Sequence, residues 1–362
     1  MGTGTRFIFR LITVLGSLAL FAAILSAAAY GGCRYYLFTP TDLLRRETLV
    51  IDTEASRNFK QIAHALEDQS LIRSAFAFRL LARFEGKDTQ IKAGEYALSA
   101  AMTPQQILDM MVRGETIPRR ATVREGMTVN EIGLVVEQAG IVDRASFEQA
   151  LADPGLRQEL GVEANSLEGY LFPETYNFRR NTQAHQVIRA MYSEFIRNWL
   201  PEWDGQAIAL GMSRHQILTL ASIVEKESGN FTEQPIIASV FHNRLKLNMR
   251  LQADPTVIYG IKDFNGDITR RDLQTETPYN TYIISGLPPG PIANPGLSAI
   301  KAVLFPADTR YLYFVGNGAG RHIFSESLNQ HNDAVNRYQR TRQQLPAAEQ
   351  LSRDDLNTGS AQ

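Results

Sequence analysis

Residues 215–228 read "HQILTLASIVEKES". At 100° per residue Ile217, Leu220, Ala221, Ile223 and Val224 fall on one side, which predicts an amphipathic helix over this stretch. Glu227 follows Val224 by three positions and Ile223 by four, so it prolongs the apolar side, while Glu225 projects from the opposite edge and Lys226 points outward. A carboxyl at the end of an apolar stripe is partly desolvated, which raises its pKa and lets it hold a proton near neutral pH. A general acid needs this property. The competing reading is a frayed helix end with a solvated Glu-Lys-Glu, and the pattern alone leaves both open.

The flanking segments point to an α+β fold. Upstream, Val187, Ile188, Met191 and Phe195 mark a helix over 183–199. Downstream, "IIASVFHNRLKLNMRLQADPTVIYG" (236–260) predicts a helix and then a turn at Asp254-Pro255. "YNTYIISGLPPGPIANPG" (279–296) carries four prolines, each fixing its own φ, so it reads as a rigid irregular loop. "RYLYFVGNGAGRHIF" (310–324) reads as a hairpin around a Gly-Asn-Gly turn. Nearer the N-terminus two strand-then-helix units resemble each other. "TLVID" (48–52) leads to a helix with Phe59, Ile62, Ala63 and Leu66 on one face. "ATVRE" (121–125) leads to one with Ile132, Val135, Val136 and Ala139, opened by a Thr128/Glu131 capping box. Between them "TPQQILDMMVRGE" has Thr103 as N-cap, Pro104 at the first helical position and Gly114 at the exit. Such units serve as glycan- or partner-binding modules or as plain packing structure.

The N-terminus holds 23 uncharged residues, Leu11–Cys33, preceded by Arg6 and Arg10. As a helix the run covers roughly 34 Å, enough for a hydrocarbon core. It reads as a signal anchor with everything after residue 34 outside; a cleaved signal peptide ending at Ala27-x-Ala29 is the alternative. The expected organisation is a cytoplasmic N-terminus (1–10), a transmembrane helix (11–33), a linker (34–46), a module containing both strand-helix units (47–160), a larger mixed α+β domain (161–345) and a disordered tail (346–362).

Several chemistries fit poorly. A formal net charge of −1 and the lack of a basic stripe argue against nucleic acid. A single cysteine, Cys33, permits no internal disulfide or thiolate cluster, and Tyr30 stands where a lipidated cysteine would want an aliphatic. The six histidines never form H-E-x-x-H, so no metal or other cofactor is expected. "DFNGDITRRDLQ" (263–274) places Asp263, Asn265 and Asp267 like a calcium loop, but Ile268 and Gln274 replace the required Gly and Glu. Ser222 and Ser228 lack a nucleophile elbow. His242 and His322 read as packed or surface histidines rather than bases.

The blocks "EGYLFPETY" (168–176), "LASIVEKES" (220–228), "ASVFHNRL" (238–245) with "MRLQADPTVIYG" (249–260), "YNTYIISGLPPGPIANPG" (279–296) and "YLYFVGNGAGRHIFSESLNQHN" (311–332) resemble the endolytic murein transglycosylases, the MltG or YceG-like family. The blocks are collinear, and the resemblance runs from the apolar span to about residue 340. It implies an inner-membrane enzyme with a periplasmic catalytic domain and a LysM-like N-terminal module. The implied reaction cleaves the MurNAc-β-1,4-GlcNAc bond inside peptidoglycan strands and leaves 1,6-anhydroMurNAc ends. The family's catalytic acid matches Glu227. Gln252, Asp254, Tyr279, Asn280, Thr281 and Ser285 are candidate sugar contacts, and Tyr170, Phe172 and Tyr176 candidate stacking platforms or core residues. The resemblance also implies peptidoglycan synthases as partners. Two other readings stay open: a wall-binding scaffold for such synthases, and a muramidase-type hydrolase with Asp254 or Glu174 as base. The segment "SGNFTEQP" after Glu227 is less charged than the family pattern, which leaves the local substrate contacts open.

Overall fold

A computed structural model describes residues 3–45, 48–53, 58–261, 264 and 266–340. Asp263 and Asn265 of the calcium-like loop and the tail expected to be disordered lie outside the described residues. The chain divides into two compact units, residues 1–119 and 120–362.

The first unit opens with helix α1 (Thr3–Leu37). Its segment Val14–Leu37, 24 residues with a mean hydropathy of 1.9, is long and apolar enough to cross a membrane. The helix runs past Cys33, so the linker expected from residue 34 begins at Phe38. Then follow β1 (Thr48–Asp52), α2 (Phe59–Asp68), α3 (Ala75–Phe84), β2 (Glu95–Ser99) and α4 (Pro104–Arg113). β1 and β2 pair antiparallel with Ile51 opposite Tyr96. Ile51 points inward and Val50 outward, the period of two expected of a half-buried strand. Ile62, Ala63 and Leu66 of α2 close onto Phe78, Leu81, Ile107 and Leu108, with Leu71 and Ile72 in the bend between α2 and α3. The cap expected for α4 is present: Thr103 and Gln106 bond reciprocally, Pro104 opens the helix and Gly114 leaves it at φ 70°.

The second unit contains the rest of β3 (Arg119–Thr122), then α5 (Val129–Gln138), α6 (Arg144–Ala152), α7 (Pro154–Glu159), β4 (Thr175–Phe178) and α8 (Ala184–Asn198). It continues with α9 (Glu202–Ala209), α10 (Arg214–Glu227), α11 (Gln234–Lys246), α12 (Asp254–Gly260) and α13 (Arg270–Gln274). It closes with α14 (Leu297–Leu304), β5 (Tyr313–Gly316), β6 (His322–Ser325), α15 (Leu328–Val335) and a π-helical turn at Asn336–Arg340. The expected boundary at residue 160 thus moves to 119. Ile132, Val136 and Phe147 bury into the same core as Ile217 and Leu220, and β3 pairs with β4. A short strand with one helix cannot bury its own apolar face, so the second strand-helix unit joins the larger core.

α10 is the centre of this unit. The sequence suggests one apolar side, but every residue from Ile217 to Val224 is buried. α9, α11, α12 and α14 and the proline-rich loop surround it. Its two polar core residues are satisfied: Thr219 donates to the His215 carbonyl at 2.8 Å, and Ser222 donates to the Thr219 carbonyl and accepts from Ile292 N–H at 2.9 Å. Two local expectations change. Asp254-Pro255 starts a helix rather than a turn, because proline's φ and missing N–H suit the first helical turn. The β5–β6 connection is Asn317–Arg321, with the Asn317 side-chain oxygen accepting from Ala319 and Arg321 N–H, in place of a Gly-Asn-Gly turn.

Candidate active site

α10 ends by sending its two carboxylates to different places. Glu225 accepts a hydrogen bond from Gly296 N–H at 2.9 Å and so ties the helix end to the proline-rich loop. Burial pushes its carboxyl up to about 6. Glu227 turns instead into a cleft of about 400 Å³. Among the described residues no hydrogen-bond donor reaches its carboxyl. Burial, and then the charge of Asp254, push it up to about 8, while the Arg244 guanidinium pulls the other way. Glu227 therefore holds a proton at neutral pH and presents it to an open cavity.

Distant parts of the chain supply the walls. Arg244, from α11, is buried and braced: Nε donates to the Leu312 carbonyl and Nη1 to the Leu251 carbonyl, each at 2.7 Å. This brace joins α11 to the approach to β5 and to the turn before α12. Gln252 stands in that turn at φ 50°, a left-handed conformation costly for a residue with a side chain, and its N–H donates to the Thr281 carbonyl. Asp254, at the start of α12, accepts from the Tyr282 hydroxyl at 2.6 Å. Tyr313 covers Arg244 at 5.2 Å and stacks on His331 at 5.3 Å. Among the described residues the buried His331 Nδ1 has no hydrogen-bond partner. His322 completes the rim, its ring Nδ1 2.8 Å from Glu233.

Of the residues expected from sequence, Glu227, Gln252 and Asp254 meet in this cleft. Thr281, Asn280 and Tyr279 have structural work instead. Thr281 is buried; its hydroxyl accepts from Ala253 N–H at 2.9 Å and so holds the 252–254 turn. Asn280 is buried and donates to the carbonyls of Asp272, Leu273 and Thr275. Tyr279 packs against Tyr259 at 4.8 Å, and Ser285 is exposed away from the cleft lining. Tyr170, Phe172 and Tyr176 are core residues, with Tyr170 hydroxyl 2.9 Å from His215 Nδ1 and Tyr176 bonded to the Phe172 carbonyl. Glu174 is outside the cleft. Sequence reading missed Arg244, Tyr282, Tyr313 and His331. All four lie inside the quoted blocks, but no spacing rule picks a braced arginine out of "FHNRL". Among the described residues no group of three His, Cys, Asp or Glu side chains is arranged to hold a metal ion.

A second buried carboxyl fixes the scaffold. Glu168 accepts from Val129 N–H at 3.0 Å, Asn294 Nδ2 at 2.9 Å and the Tyr259 hydroxyl at 3.3 Å, and burial pushes it up to about 8. Gly169 beside it has φ 85°, and a Cβ there would sit 2.4 Å from Pro291 Cγ. Gly169→Ala is expected to cost about 2 kcal/mol or more, read as a lower midpoint in thermal or urea unfolding.

The YceG-like family model matches residues 51–337. The chain belongs to the YceG-like family. A Bacillus subtilis relative, named an endolytic murein transglycosylase, is 32 % identical over 327 residues, 85 % of this chain and 90 % of its own length. A relative of the same name from Streptococcus pneumoniae is 28 % identical over 353 residues, and the match spans 88 % of this chain but 64 % of that longer protein. The crystal structure of a YceG-like protein from Listeria monocytogenes superposes with a TM-score of 0.55 at 34 % identity, covering 79 % of this chain and 99 % of that one. The YceG-like blocks include every cleft residue named above.

Proposed function

We propose that this chain is an endolytic murein transglycosylase. It cuts the MurNAc-β-1,4-GlcNAc bond within nascent peptidoglycan strands and leaves 1,6-anhydroMurNAc ends. The observation that supports this best is Glu227: a carboxyl protonated at neutral pH, without a hydrogen-bond partner among the described residues, open to a cleft, in a family whose named relatives are transglycosylases.

Glu227 donates its proton to the glycosidic oxygen as the C1–O4 bond breaks, releasing the GlcNAc 4-hydroxyl. Positive charge develops at C1 of MurNAc. The 6-hydroxyl of the same sugar attacks C1, and its proton passes to the now ionised Glu227. One carboxyl serves as acid and then as base, and the nucleophile is intramolecular, so high effective molarity replaces a bound water. Arg244 steadies the carboxylate in the middle of the cycle, and Asp254 favours its reprotonation, as their opposite effects on Glu227 require. That Gln252, Asp254 and Tyr313 line the same cleft as Glu227 supports them as contacts to the sugar and its N-acetyl groups.

Replacing Asp254 by Asn removes the negative charge that helps raise Glu227 while keeping an acceptor for Tyr282. The alkaline limb of a kcat/KM–pH profile should move to lower pH; an unmoved limb would remove Asp254 from this role.

Helix α1 anchors the enzyme in the inner membrane with its N-terminus in the cytoplasm and the rest in the periplasm; its length and apolarity support this. The strand–helix–helix–strand order of residues 48–99 supports a LysM-like module, and the resemblance extends the partners to peptidoglycan synthases. The deciding experiment digests purified peptidoglycan and identifies the fragment ends by mass spectrometry. Anhydro ends are expected. Reducing ends would make the protein a hydrolase with Asp254 as base. No fragments, in an assay validated with another murein-cleaving enzyme, would make it a wall-binding scaffold.

A further inference from the structure

Helix α3 has an exposed apolar stripe that the core does not use. Phe76 is 74 % exposed, Leu80 41 % and Phe84 83 %, at positions i, i+4 and i+8 of one face. Arg79 and Arg83 stand one residue before Leu80 and Phe84, and among the described residues neither has an ion-pair partner. Together with Lys60 they line a cleft of about 480 Å³ with Phe76 and Leu80 in its wall and Asp88 as its one acid among the described residues. An apolar stripe bordered by basic side chains suits the boundary between anionic headgroups and acyl chains.

The start of α3 is tied to the apolar span. Arg73, just before α3, sits over the Tyr35 ring at 4.3 Å and donates to the carbonyls of Thr39 (2.9 Å), Pro40 and Thr41 (3.2 Å). Thr41 in turn donates to the Leu71 carbonyl at 3.0 Å, and Leu37 packs onto the module's core. The start of α3 is therefore fastened to the exit of α1. Exposed aromatic and aliphatic side chains mark that exit: Tyr35, Tyr36, Phe38, Leu43 and Leu44.

We infer that the Phe76/Leu80/Phe84 face of α3 docks on an anionic phospholipid surface, with Arg79 and Arg83 on the headgroups. This rests on α1 being a membrane anchor. Charge complementarity and continuity with the anchor favour lipid over a protein partner.

The test uses the full chain with Cys33→Ser, reconstituted in vesicles of phosphatidylcholine with or without phosphatidylglycerol, and an environment-sensitive fluorophore on Leu80→Cys. Flotation first shows whether the chain is anchored at all; a protein stripped from the vesicles by alkaline carbonate would sink the anchor itself. For anchored protein, brominated acyl chains should quench the label at 80 when phosphatidylglycerol is present, and much less when it is absent. Arg79→Gln and Arg83→Gln should each lower the ratio of docked to free module roughly fivefold. A label that stays in water on anchored protein overturns the inference. A blue-shifted label that brominated lipid does not quench also overturns it, because protein then covers the face.

Discussion

Glu227→Gln is expected to lower kcat by roughly 10²–10⁴-fold, with KM little changed. An amide cannot donate the proton or take it back, but it fits the same space. The same substitution should stabilise the fold. The Glu227 carboxyl is raised from an ordinary value near 4.5 to about 8, so the folded state holds the proton more tightly than the unfolded chain. Its contribution is fully present below about 4.5 and is lost as pH rises to about 8. Glu168 runs through the same window and Glu225 through its lower half, up to about 6. The wild type should therefore lose stability between pH 5 and 8 (roughly) by more than the variant does. At a pH of about 8 the variant should be ahead by roughly 4 kcal/mol, at about 1.4 kcal/mol for each unit between 4.5 and about 8. Urea midpoints measured across that range, with activity alongside, check both halves. A variant equally inactive but no more stable would mean that Glu227 is not desolvated.

Asn294→Ala carries the second large effect, and it should fall on stability. The Asn294 side-chain oxygen accepts from Leu171 N–H at 2.9 Å, and its amide donates to the Met127 carbonyl and to Glu168, each at 2.9 Å. All of these groups are inside the core or its edge. Alanine leaves a buried N–H without an acceptor and the Glu168 carboxyl short of a donor, so a loss of about 3 kcal/mol is expected. Urea unfolding of the wild type and the variant at one pH measures it. Because Gly296, two residues on, holds Glu225 at the end of α10, the variant's residual activity should fall more steeply with temperature than the wild type's. A loss below about 1 kcal/mol would mean that water replaces the missing amide.

The parts legible in the sequence were those set by local rules. The Thr103/Gln106 and Thr128/Glu131 caps formed as written, because capping involves residues three apart. The angular position of Glu227 on α10 follows from helix geometry alone, and so does the separation of Glu225 from it. What stayed hidden depends on contacts across the chain. Arg244 reaches the cleft only because carbonyls at 251 and 312 hold its guanidinium. Tyr282 and Asn280 are two residues apart in one motif, yet one faces Asp254 and the other faces inward to three carbonyls. Type and spacing cannot separate them; the irregular backbone of 279–296 does. The module boundary was misplaced for a related reason. Residues 120–160 repeat the pattern of the first unit, and only the partner of β3 reveals which core they serve.

The fastening of Arg73 to residues 39–41 removes slack between the apolar helix and the rest of the first unit. A loose tether would let the following domain sweep a wide volume, at a low effective concentration spread over its whole reach. A short, pinned post instead makes the first unit follow the apolar helix, so that turning or tilting one carries the other with it. Lengthening the 38–45 segment with Gly-Ser repeats would uncouple the two.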